Sequence, residues 1–237
     1  MTETGVGWGG NMSGIADGVV GGFWWLDQLG LLATRGVTVQ HRHSLVGSWP
    51  PCLIDLTYTP RPDYFTSVLW RRLVGTGVLN ASLGVSSDDH GHPGGEIKHE
   101  YPGGELKRDH PRGDIEHLRV YAHCGRTLKA PYTDAATLSL VIINLSAKES
   151  FSFPVSGLLR GRGVGGDLRR RHEYWLGAPP GADLSSGVVA LNGVALGLSR
   201  DGTLPPMTPL VATGDAITVA PLRYGFVTFP MATVQAC

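Results

Sequence analysis

The chain has 237 residues, 42% of them hydrophobic, and its 20 Lys and Arg balance 20 Asp and Glu to a formal net charge of zero. That length buries a sizeable core in one or two domains, and the balance provides no global attraction to nucleic acid or to an anionic membrane. The most apolar stretch, Ile15 to Ala33, is broken by Asp27, Gln28 and several glycines, short of the roughly 18 uninterrupted apolar residues of a spanning helix, and no leader-like basic and apolar run follows Met1.

The first segment reads MTETGVGWGGNMSG, in which Gly5, Gly7 and Gly10 spell G-x-G-x-x-G just after Glu3. A dinucleotide-binding turn needs a full strand before its first glycine and an acid ending a second strand about 20 residues later. Only four residues precede Gly5, and the acid at such a distance, Asp27, falls inside an apolar helix. The glycines therefore do not cradle a nucleotide. They leave a loop beside Glu3, which is either a surface glutamate or a reactive carboxylate.

An apolar helix follows from Ile15 to Leu32, then a strand over Val37–Val46, then a second helix from Asp63 to Val74. The second helix is marked by Pro62 at its head, Asp63 and Tyr64 in its first turn, and Arg71 and Arg72 in its last turn before Gly75. Phe65, Val68, Leu69 and Leu73 form its buried stripe. This βαβα rhythm predicts a parallel sheet with helices outside.

Residues 84–117 change character. His92-Pro-Gly-Gly-Glu-Ile-Lys-His-Glu100 recurs as Tyr101-Pro-Gly-Gly-Glu-Leu-Lys-Arg-Asp109, and a worn copy runs from His110 to His117. A repeat so poor in apolar residues cannot bury a core, so it reads as a solvated, disordered insert. Its histidines 90, 92, 99, 110 and 117 invite a metal reading, but the composition favours the loop, and no metal ligand is assigned.

From Leu118 onward the signals are β. Leu118, Val120 and Ala122 alternate with polar partners, Thr137–Asn144 is an apolar run, Val188–Leu196 is a hairpin turning at Asn192-Gly193, and Tyr224–Phe229 supplies a last strand. Short strands without an intervening helix predict a β-sandwich. Arg160, Arg162, Arg169, Arg170, Arg171 and His172 cluster within this half, either as a solvated charged loop or as a polysaccharide-binding patch. Of the three cysteines, Cys124 and Cys237 could tie down the C-terminus, leaving Cys52 free, or all three could be buried thiols. Asn11, Asn80 and Asn144 head glycosylation sequons.

Taken in order, the acid in a glycine-rich loop, Phe23-Trp-Trp-Leu-Asp-Gln-Leu-Gly30, Pro62-Asp-Tyr64 through Leu73-Val-Gly75, Leu118-Arg-Val-Tyr-Ala-His-Cys124, the Leu191-Asn-Gly193 turn, Thr203-Leu-Pro-Pro206 and the terminal Cys237 resemble the C-terminal portion of the heparanase family. The resemblance implies the last βα units of an incomplete (β/α)8 barrel over residues 1–83, the insert over 84–117, and a β-sandwich over 118–237. It implies a retaining glycoside hydrolase acting on uronic-acid-containing glycans without a cofactor. Such enzymes use two carboxyl groups about 5 to 5.5 Å apart, one attacking the anomeric carbon and one protonating the leaving oxygen.

Glu3 matches the attacking carboxylate; the acid/base residue belongs to an earlier barrel segment, so the chain is expected to be a fragment, inactive alone, with that segment as partner. Gly9 and Gly10 then let the backbone approach a sugar, and Trp8 can stack on it. Relatives that bind uronic acids carry a Gly-Asn-Tyr stretch where this chain has Gly47-Ser-Trp-Pro-Pro-Cys52, and Pro50 and Pro51 offer no N–H. Arg42 and His43, near the end of the Val37–Val46 strand, either hold an acidic sugar in its place or are satisfied in the core. The resemblance also implies the Cys124–Cys237 disulfide and a secreted, lysosomal or cell-surface protein glycosylated at Asn80 and Asn144.

Overall fold

The computed structural model describes residues 4–6, 12–48, 52–81, 117–126, 138–156 and 163–237. The first helix, α1, spans Val19–Thr34, starting four residues later than Ile15. Its start is set from outside: the amides of Val19 and Val20 donate to the carbonyls of Ser186 and Leu184, both at 2.9 Å. These are first-turn donors that no intrahelical carbonyl can serve. Gly36, at φ +77°, closes the other end, donating to Ala33 O. The second helix, α2, spans Pro62–Leu73, one residue upstream of its expected range.

Between them the expected strand Val37–Val46 is not formed. Single parallel bridges join Thr4 to Arg42 and Val46 to Ile54, and the segment otherwise carries no ladder. A strand persists when neighbours pair it along its length, and Arg42 has only Thr4 beside it among the described residues. Val39 and Leu45 accordingly face solvent. Among the described residues the parallel pairing of this region consists of these two single bridges.

Strand β1, Val74–Leu79, leaves α2 directly and pairs antiparallel with β2, Leu118–Gly125. Sequence grouped it with the barrel end; it belongs to the large sheet instead. The remaining strands are β3 (Leu138–Asn144), β4 (Phe151–Pro154), β5 (Val164–Gly166), β6 (Arg171–Gly177), β7 (Ala190–Leu191), β8 (Val194–Ala195), β9 (Leu210–Ala212), β10 (Ala216–Val219), β11 (Arg223–Phe229) and β12 (Ala232–Val234). The large sheet runs β1-β2-β3-β11-β6-β7-β8, with β9 also on β6, while β4 pairs β10 and β5 pairs β12. Tyr224–Phe229 is thus not the last strand.

Alternation along the central strands sorts the core into two sides. Val141, Ile143, Tyr224 and Phe226 pack with Val19, Phe23 and Leu26 of α1 and Phe65, Leu69 and Leu73 of α2. Leu140, Ile142, Val227 and Phe229 point the other way, to Ile217 and Val219 of β10, Val155, Leu168 and Ala232. One sheet therefore lies between a helical layer and two short ribbons, and the helices share a core with the β half. The Asn192-Gly193 turn has φ of +51° and +85°, the two left-handed residues of a type I′ hairpin. Cys124 and Cys237 form the expected disulfide, with Cα atoms 5.5 Å apart, and Cys52 is a buried free thiol.

Candidate functional site

The chain is pinned at Thr4, next in sequence to Glu3. Its carbonyl accepts from the His43 amide at 2.8 Å, and its hydroxyl exchanges hydrogen bonds of 3.2 and 2.9 Å with the Gln28 side chain of α1. Gln28 also donates to Gln40, which reaches the Leu29 carbonyl. Thr4 and Arg42 thus form a short parallel pair braced by one polar residue of α1.

Arg42 carries this pair into the core. Its Nη2 lies 2.7 Å from Asp63 Oδ2 near the start of α2, and both side chains are almost wholly buried. The guanidinium sits 4.9 Å from the Trp25 ring centroid and 5.6 Å from that of Trp24, at cation–π distances. Trp25 Nε1 donates to Ser67 Oγ, which donates to the Asp63 carbonyl. Burial pushes the Asp63 carboxyl up to about 6 against the opposing pull of Arg42 and Arg61, and lowers Arg42 against the pull of Asp63. Both shifts point the same way: desolvation costs each charge more than the pair returns.

This placement corrects one binding expectation. Arg42 is a core ion-pair residue and does not offer its guanidinium to a sugar; His43 is exposed at the end of the bridged segment. Glu3, Trp8, Gly9, Gly10 and Asn11 lie outside the described residues, as do Arg160, Arg162 and residues 84–116.

The basic segment is likewise dispersed. Arg171 is buried and pairs with Glu173 at 2.7 Å while donating to the carbonyls of Gly214 and Ala216; Arg169 pairs at the surface with Asp215 at 2.8 Å. Asn80 is exposed at the end of β1. Asn144 is fully buried, and its Nδ2, the atom a glycan would occupy, donates to the carbonyls of Glu149, Val219 and Ala220. It is a structural asparagine, and the fold has no room for a glycan there.

The sequence reading missed Gln28 and Trp25 as parts of the site and took Asp63 only as a helix-start residue. Their signal was faint: a Gln inside an apolar helix, and an acid at the head of α2 that also suits its positive end. No family model matches the chain. Over 94% or more of its length it is similar to curated proteins named for heparanase. It is 32% identical over 240 residues to Heparanase of Gallus gallus, covering all of this chain and 39% of that protein. It is 31% identical over 229 residues to Inactive heparanase-2 of Homo sapiens, covering 96% and 34%. It is 28% identical over 247 residues to Heparanase-like protein 1 of Arabidopsis thaliana, covering 94% and 39%.

The chain is similar to heparanases over nearly its whole length.

This heparanase-like chain spans little more than a third of the length of those relatives. Its fold is similar to a GH51 α-L-arabinofuranosidase from Thermotoga petrophila RKU-1, with a TM-score of 0.52 at 11% identity over 97% of this chain and 42% of that one. Among the described residues no helix is long and apolar enough to cross a membrane.

Proposed function

We propose that the chain supplies the nucleophilic half of a retaining glycoside hydrolase of heparanase type that cleaves uronic-acid-containing glycans. Glu3 attacks the anomeric carbon, and an acid/base carboxyl from a barrel segment outside this sequence protonates the leaving oxygen. The residues before β1 contribute the end of that barrel, Trp8, Gly9 and Gly10 line the sugar, and the exposed His43 takes part in substrate contact. The observation that carries the reading is the similarity to heparanases over nearly the entire chain. The parallel pairing of Thr4 with Arg42 is in keeping with it, because barrel chemistry gathers where parallel strands end.

The disulfide accords with a secreted, lysosomal or cell-surface location. The test is hydrolysis of a chromogenic β-glucuronide by a protein extended to the relatives' length. Turnover that Glu3→Gln abolishes without lowering Tm supports the proposal; a trapped glycosyl ester on any other residue sinks it. A second reading, glycan binding without turnover, is favoured by the similarity to a relative named as inactive. It predicts binding to heparin but no hydrolysis in the same protein. The dispersed Arg169–His172 segment lends this reading little.

A further inference from the structure

The Arg42–Asp63 pair is expensive, yet it sits where three pieces of backbone meet. Arg42 is the residue whose backbone faces Thr4 in the parallel bridge, and the next amide, that of His43, donates to the Thr4 carbonyl. Its side chain enters the space between α1 and α2, held by Asp63 and covered by Trp24 and Trp25. Asp63 itself is linked through Ser67 to the Trp25 indole. Among the described residues Thr4 has a single bridge and no longer ladder, so the Arg42 pairing and the Gln28 contact hold it there.

We infer that Asp63 and Arg42 are positioning residues: the buried ion pair locks the Arg42 backbone against the two helices and so fixes Thr4, the residue that follows the proposed nucleophile in sequence. This rests on the glycosidase reading proposed above. A guanidinium held by a carboxylate and two indole faces has a fixed plane, whereas apolar contacts would let the segment slide. The arrangement thus supplies orientation. A displacement of about 1 Å in a reacting group lowers rates on the order of 100-fold.

The experiment uses the extended, active protein, assayed on a chromogenic β-glucuronide at a temperature where circular dichroism shows each variant folded. Asp63→Asn is expected to lower kcat at least tenfold with a smaller change in KM, because the buried carboxyl itself touches no substrate. Arg42→Lys keeps the charge balance but loses the planar fork, and is expected to do the same. In both, hydrogen exchange at the His43 amide is expected to accelerate, reporting release of the Thr4 carbonyl without reference to activity. A folded Asp63→Asn or Arg42→Lys protein with wild-type kcat and an unchanged His43 amide overturns the inference. So does failure of both variants to fold, which would make the pair a folding element only. An inactive parent protein defeats the glycosidase reading instead, and the inference falls with it.

Discussion

His123 shows how a single group can make stability depend on pH. It lies on β2 with 1% exposure, edge-on to the Trp70 ring at a 5.2 Å centroid distance, and neither ring nitrogen has a hydrogen-bond partner among the described residues. Burial lowers it to about 4. The folded chain therefore holds the imidazole neutral, while the unfolded chain takes up a proton below about 6.5. Its contribution is intact above pH 6.5 and is lost as pH falls toward 4, with on the order of 3 kcal/mol at stake.

Asp63 acts in the opposite sense: raised by burial, it is bound more tightly by protons in the folded chain, so its contribution grows as pH falls from about 6 toward the ordinary carboxylate range. Comparing urea melts of the parent chain and His123→Phe at pH 7 and pH 4.5 separates the two. The variant is expected to lose less stability on acidification; equal losses would show that His123 does not govern the acid limb. Arg171 illustrates a different residue-scale point. Because it is a buried, paired cation, replacing it would damage the fold, on the order of 3 to 5 kcal/mol for a broken buried pair, before any glycan binding could be measured.

At the scale of elements, α1 lies on the sheet through two glycines. A Cβ on Gly22 would overlap the Tyr224 hydroxyl, and one on Gly30 would overlap the Tyr121 ring. Tyr224 is fully buried beside Phe23 and near Thr66 Oγ1, and Tyr121 donates to Asp27 at 2.5 Å. Both rings are therefore held and cannot easily yield. Gly22→Ala should destabilise by about 1 to 3 kcal/mol through overpacking, although alanine is worth about 1 kcal/mol more than glycine in a helix interior; a higher Tm in the variant would mean that the helix moves freely on the sheet.

The disulfide works on another element. It fastens the residues after β12 to β2 across 113 positions, and typical bridges contribute about 2 to 4 kcal/mol. Cys237→Ser should lower the denaturant midpoint accordingly while leaving the secondary structure intact by circular dichroism.

For the whole molecule, the two ends of the fold differ. The central strands β3 and β11 are covered on both faces, whereas Leu31, Val39, Leu45, Val46, Leu56 and Tyr58 are all exposed. These exposed apolar side chains, together with others such as Val194, Leu210 and Val211 in the β half, invite association. The chain by itself is expected to self-associate in sedimentation velocity at micromolar concentration, and Leu45→Lys with Tyr58→Lys to shift it toward monomer. Monodisperse parent chain under the same conditions would refute this.

What sequence alone determined was local. Pro62 with Arg71 and Arg72 bounded α2, Asn192-Gly193 dictated its hairpin, and unbroken apolar runs marked β3 and β11, because each depends on backbone preferences or hydrophobic periodicity within a few residues. The ordered set of motifs also pointed to the heparanase family. Tertiary structure decided what depends on distant partners. Val37–Val46 has strand-forming residues but only single bridges among the described residues, α1 begins where residues 184–186 meet its free amides, and β1 joined the sheet through β2. Arg42 reads in one dimension as either a sugar contact or a core residue, and Arg171 and Asn144 as surface groups, yet their heads are satisfied by Asp63, Glu173 and the carbonyls of Val219 and Ala220. A polar residue's fate turns on whether the fold brings it a partner before water does, and that is information no local window contains.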